Sequence, residues 1–148
     1  MDTAATLVPR LLACGVSPAD IRGCTGKNLA RVEAAAGRPL PASYARFLSL
    51  VGRGAGEFMS DLTAFYPAVL TLTEKRRTAL AGVLPDDAFV VADRYGEQVA
   101  FVRLSDGPED APVYIWTDEQ PKRARKVFGS VWAFVEDELR GFEEATAP

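Results

Sequence analysis

The chain has 148 residues and a formal charge of −3, with 48% apolar and 25% charged residues. That composition is ordinary for a folded domain and excludes wholesale disorder and fibrous repeats. A chain of this length forms one domain around one core. It has no histidine, which removes Ser-His-Asp, Cys-His and His-ligated zinc chemistry, since each needs an imidazole.

Cys14 and Cys24 stand ten positions apart and form neither a zinc motif nor a C-x-x-C pair. Buried free thiols are the expectation, with a single disulfide as the alternative. Residues 1–6 lack the basic and apolar blocks of a signal peptide, and no apolar run approaches the ~20 residues of a membrane span. Both point to a cytoplasmic protein. Charge is unevenly spread: residues 1–60 carry 7 Lys/Arg against 4 Asp/Glu, and the remainder carries 10 against 16. A weakly acidic chain without a dominant basic face is a poor nucleic-acid binder, although its acidic later part suits a basic protein partner.

In chain order, residues 1–24 read as a short helix and a turn, with Leu7, Leu11 and Leu12 broken by Gly15, Pro18 and Gly23. Thr25 then offers an N-cap for a helix to Ala36 with Gly37 as its stop. Pro41 opens a second helix carrying Tyr44, Phe47, Leu48 and Val51 on one face. Gly52-Arg53-Gly54-Ala55-Gly56 resembles a phosphate cradle only in composition: it follows a helix and lacks Gly-Lys-Ser/Thr. It reads as a helix stop and connector. Phe65 to Leu70 reads as an apolar turn or short strand, and Thr73 as the cap of a helix to Gly82.

From Leu84 the period changes to that of strands. Phe89–Ala92, Val99–Leu104 and Val113–Trp116 are β-branched and aromatic runs separated by Asp93-Arg94-Tyr95-Gly96 and Ser105-Asp106-Gly107-Pro108, the pattern of an antiparallel meander. The middle run is apolar on both faces, so helices are expected over one side and a further element or a partner over the other. A last helix begins at Ser130 and carries Val131, Phe134, Val135, Leu139 and Phe142 on one stripe.

Three acidic pairs, Asp86-Asp87, Glu109-Asp110 and Asp118-Glu119, fall in turns, where Asp serves local backbone hydrogen bonds. No metal and no cofactor is expected. Lys122, Arg123, Arg125 and Lys126 place four cations in five positions; a solvated loop is the expected form, with phosphates or an acidic partner as its possible contacts. Tyr114 and Trp116 share one face of a strand and are flanked by a stretch containing Asp106, Glu109, Asp110, Asp118 and Glu119 and no basic residue. A Trp–Tyr pair with a charged rim has the composition of an interface hot spot. If Val113 and Ile115 face the helices, Tyr114 and Trp116 face outward; the reverse registry buries them. The first arrangement is preferred, which makes Tyr95, Tyr114, Trp116, Asp118 and Glu119 the candidate partner-binding residues, with Tyr95 exposed in a hairpin loop.

Val32-Glu33, Leu40-Pro41, Tyr44, Phe47-Leu48 and Gly52, then Leu84 to Val90 with Gly96 and Phe101, then Pro112-Val113-Tyr114 with Ser130, Phe134 and Val135, resemble in their order the SUKH superfamily. That superfamily includes bacterial immunity proteins and fungal cell-wall regulators. The resemblance covers roughly Thr25 to Leu139, departing at Val51, where the family has Asn, and at Val131, where it has Phe. It implies a single α+β domain, a mixed or antiparallel sheet wrapped by helices, with residues 25–142 as its core. It also implies a non-enzymatic role: binding and occluding a bacterial protein toxin, often a nuclease. A regulatory scaffold that binds a host protein is the alternative. A metal-dependent hydrolase using scattered carboxylates is a distant third. No direct contact with nucleic acid or membrane is expected.

Overall fold

The computed structural model describes residues 2–148. Its elements, in order, are α1 (Thr3–Ala13), α2 (Gly26–Ala36), α3 (Ala42–Val51), α4 (Val69–Ala79), β1 (Ala88–Arg94), β2 (Gln98–Arg103), β3 (Val113–Thr117), β4 (Arg125–Phe128) and α5 (Val131–Thr146), with single 3₁₀ turns after α1 and β2. The four strands form one antiparallel sheet in the order β1-β2-β3-β4, giving the α+β fold.

Local chemistry sets most boundaries. Thr25 and Asn28 form a reciprocal capping box at the start of α2, which satisfies two backbone donors that no helical carbonyl can reach. Gly37, at φ +75°, ends the helix. Pro41 is the cap of α3, one place before its first helical residue. Ser130 Oγ accepts from Ala133 N (3.0 Å) at the start of α5.

Alternation along the strands divides the apolar side chains between two cores. On one face Phe89, Val91, Val102 and Val113 pack with Leu7 and Leu11 of α1, Val32 of α2, Tyr44, Phe47 and Leu48 of α3, and Phe134, Val135 and Leu139 of α5. A register shift between Val90 and Ala92 turns both Val91 and Ala92 toward this side, as a bulge does. On the other face Ala88, Val90, Val99, Phe101 and Trp116 pack beneath Leu72 of α4 and Leu80 and Leu84 of the segment after it.

Two expectations change and one alternative is resolved. Residues 69–72 are helical, so α4 begins before Thr73, whose hydroxyl accepts from Val90 N (2.9 Å). The second face of the middle strand is covered by α4. The cationic run is in part a strand: Arg125 and Lys126 pair with β3, giving a short edge whose side chains are exposed up to Val127.

The N-terminal stretch contributes more than a helix and a turn. Leu7 and Leu11 are fully buried, and Arg10 reaches α5, pairing with Glu136 (2.7 Å) and Glu143 (2.7 Å). Glu136 also accepts from Thr3 Oγ1 (2.8 Å) and Arg140 Nε (2.8 Å). The Arg10 hydrogen bonds, supported by Thr3 and Arg140 and opposed by burial, hold the Glu136 carboxyl down at about 2.

Candidate functional site

The site is built on one end of the sheet, where two turns meet. The β1–β2 connection closes through Glu97 N to Arg94 O (2.9 Å), with Tyr95 at φ +54° and Gly96 at φ +74°. Two successive left-handed residues match the twist of a hairpin, but the first is a tyrosine, for which this conformation is uncommon. Asp93 holds it there. Its carboxylate is 3% exposed, accepts from Gly96 N (2.7 Å) and is paired by Arg76 Nε of α4. Its backbone exchanges two hydrogen bonds with Thr63 (2.8 and 3.0 Å). Tyr95 stands 78% exposed at the tip.

The β3–β4 turn lies beside it. Gln98 pairs with Thr117, and Asp118 N donates to Glu97 O (2.9 Å). Tyr95, Glu97, Asp118 and Glu119 therefore share one end of the sheet, and all four are exposed. Glu97 does not stand out in the sequence; its place beside Asp118 becomes informative only once the strand register is known.

Tyr114 and Trp116 are placed differently. Val113 and Ile115 do face the helices, but the opposite face is a second core, so the outward exposure expected of the aromatic pair does not follow. Trp116 is 9% exposed among Val99, Phe101 and Leu72, and its indole N–H donates to Pro121 O (3.0 Å). This pins the turn that carries Asp118 and Glu119. Tyr114 is half-buried, stacked on Phe101 with ring centroids 5.4 Å apart and planes at 11°. Of the five candidate residues, three meet at the sheet end and two lie on the face beneath α4.

A groove of about 500 Å³ opens beside this end, between the sheet and α5. Its floor includes Ala92, Ala100, Ile115 and Phe134, and Arg94, Glu119, Arg123, Arg125, Asp137 and Glu138 line it. Arg94 lies 3.1 Å from Asp61 and 3.5 Å from Glu138. Burial pushes the Glu138 carboxyl up, with Arg94 opposing and Asp61 and Asp137 adding to the rise. A shallower hollow on the other face of β4 is lined by Phe101, Tyr114, Lys122 and Arg123. Of the groove charges only Glu119 and the cations Arg123 and Arg125 stand out in the sequence; Arg94, Asp137 and Glu138 join them only in the fold, because the lining comes from separate segments.

Two of the three acidic pairs each supply one structural carboxylate. Asp87 binds Arg103 Nε (3.0 Å) and the Ser105 hydroxyl. Burial raises its carboxyl, and the two hydrogen bonds outweigh this to leave it below the usual range. Asp110 Oδ1 accepts from Ser43 Oγ (2.7 Å), Ala111 N (2.8 Å) and Val131 N (3.2 Å), tying α3 to the start of α5. Cys14 and Cys24 are both free. Among the described residues no helix is long and apolar enough to cross a membrane. What the sheet end offers chemically is recognition: an exposed aromatic on a held turn, carboxylates on turns and an adjoining groove.

The model of one family, described as the SMI1 / KNR4 family (SUKH-1), matches residues 23–137. That span takes in α2 to α4, the whole sheet and the first part of α5. No curated protein matches the chain.

Proposed function

Because the chain belongs to the SMI1 / KNR4 family (SUKH-1), we propose that it is an immunity-type protein that neutralises a bacterial toxin by covering it. Family membership supports a protein-binding role, of immunity or regulatory kind. The observation that carries the finer reading is the exposed Tyr95, on a turn whose backbone Asp93 holds, beside the Asp118-Glu119 turn. Large aromatic side chains supply most of the energy at protein interfaces, and a surrounding polar rim excludes water from them. A turn whose backbone is already held loses little freedom on binding.

The sheet end carries Glu97, Asp118 and Glu119, a charge pattern complementary to the basic substrate channel of a nuclease. Laid across such a channel it would exclude the nucleic acid by occupancy and by matching its charge. No catalytic group is needed for that mechanism, which acts in the cytoplasm where the toxin's substrate lies.

The experiment is to purify any nuclease-like toxin domain found encoded next to this gene and measure its binding and nuclease activity with and without the protein. Inhibition at one-to-one stoichiometry, lost in the Tyr95→Asn variant with the fold retained, is expected. Full activity of the toxin domain in the presence of excess protein would overturn the reading. Recovery of one host protein, with no effect on any neighbouring toxin domain, would place the chain among regulatory scaffolds instead.

A further inference from the structure

The exposed edge of β4 has no role in the mechanism above. We propose that it is a second docking surface, which takes an extended acidic segment of a partner protein as an added strand. Four cations, Lys122, Arg123, Arg125 and Lys126, fall in five consecutive positions. All four are exposed. The chain's ion pairs engage Arg10, Arg76, Arg77, Arg94, Arg103 and Arg140, and among the described residues these four cations meet no carboxylate. Arg103, paired with Asp87, lines the hollow on the α4 side of β4 together with Lys122 and Arg123. Arg123 and Arg125 line the groove on the α5 side. Glu119, Asp137 and Glu138 also line that groove, whereas the lining of the α4-side hollow holds cations and no carboxylate, so the positive face of the edge is the α4 side.

The edge itself is open. β4 is the last strand of the sheet, bonded to β3 alone, and Val127 is 52% exposed. An edge strand presents unpaired backbone donors and acceptors along its outer side, and an extended peptide satisfies them in register. Side chains of an added strand alternate between the two faces, so acidic residues on the α4 face would meet Lys122 and Arg123 while apolar ones on the α5 face reach the groove floor. The edge is also held in place: Trp116 Nε1 grips Pro121 O immediately before the basic run. A polypeptide fits better than a nucleic acid, because phosphates cannot complete a strand ladder and Asp118 and Glu119 stand at one end of the edge. This surface adjoins the Tyr95 end through the groove that Glu119 also lines, and the proposal does not depend on toxin neutralisation.

The test uses the full chain and a short fluorescent peptide alternating Glu and Val. Three companions accompany it: a Lys/Val peptide, a Glu/Val peptide N-methylated at alternate amides, and oligo-dT of similar charge. The Glu/Val peptide is expected to bind and to shift the backbone amide resonances of residues 125–128, and the Lys/Val and N-methylated peptides to fail. Affinity should fall about tenfold or more in the variant combining Lys122→Gln, Arg123→Gln, Arg125→Gln and Lys126→Gln, in line with the summed value of four exposed charge contacts. If that variant unfolds, the peptide comparisons on the parent chain decide the matter. Equal binding of the N-methylated peptide would overturn strand addition. Binding of oligo-dT in preference to the Glu/Val peptide would overturn the choice of partner. Binding of neither would overturn the proposal as a whole and leave the cations as a guard against self-pairing of the edge.

Discussion

Tyr95 and Trp116 show how differently two aromatic residues read in a sequence behave in the fold. Tyr95 makes its contribution outside the core, so Tyr95→Gly, which also relieves the left-handed backbone, should leave stability within about 1 kcal/mol in urea unfolding. Binding to a cognate partner should weaken by about 2 kcal/mol or more. Gly96 is the opposite case: at φ +74°, with the Arg76 guanidinium 3.4 Å from where a Cβ would sit, Gly96→Ala should lower stability by about 1–2 kcal/mol. Trp116→Ala empties a buried site and should cost about 3–5 kcal/mol, whereas Trp116→Phe gives up chiefly the bond to Pro121, about 1 kcal/mol. A calorimetric melt separates the two, and a Trp116→Ala protein as stable as its parent would contradict the core assignment. Exposure at position 95 followed from the turn residues around it. The environment of position 116 did not, because alternation defines which residues share a face and says nothing about whether a second layer covers that face.

At the level of elements, the strongly periodic helices and the three apolar strands were readable, since each has a cap or a turn at its border and a side that must be buried. α4 was displaced because no side chain caps its start, so Thr73, the nearest capping residue, was given a role it does not have. β4 was missed because its residues are chosen for an exposed edge and carry no apolar alternation. The α1–α5 clamp was also invisible, as Arg10 and Glu143 lie 133 positions apart. It has a measurable consequence. The Glu136 carboxyl is depressed from the ordinary 4.5 to about 2, so the folded state binds this proton less readily than the unfolded one. Its stabilisation is complete above about pH 4.5 and is lost as pH falls towards about 2. Glu136→Gln should be less stable than the parent at neutral pH, with the difference shrinking on acidification through that window. Arg10→Ala should cost about 1.5–3 kcal/mol at neutral pH, the range for hydrogen bonds to charged groups. A constant gap between parent and Glu136→Gln across pH would rule out the carboxylate as the source.

For the molecule as a whole, the sheet sorts charge into separate regions: acids on the turns at one end, cations along one edge. Net charge alone conceals this. Association driven by the acidic end should slow as ionic strength rises, and Asp118→Asn with Glu119→Gln should flatten that dependence while leaving the dissociation rate nearly unchanged. Stopped-flow kinetics against the toxin domain would show it, and an unchanged salt slope would remove steering from the account.

The stretch shared with the family begins at residue 23, yet Leu7 and Leu11, outside it, are at 0% exposure within the main core. Kinship and cooperativity thus have different borders. A fragment cut to the shared stretch would keep the sheet and its turns but present to water the apolar side of α3 and α5 that α1 covers. Such a fragment would behave as an adhesive particle, and a pull-down made with it would report the bared seam in place of any surface the intact molecule offers.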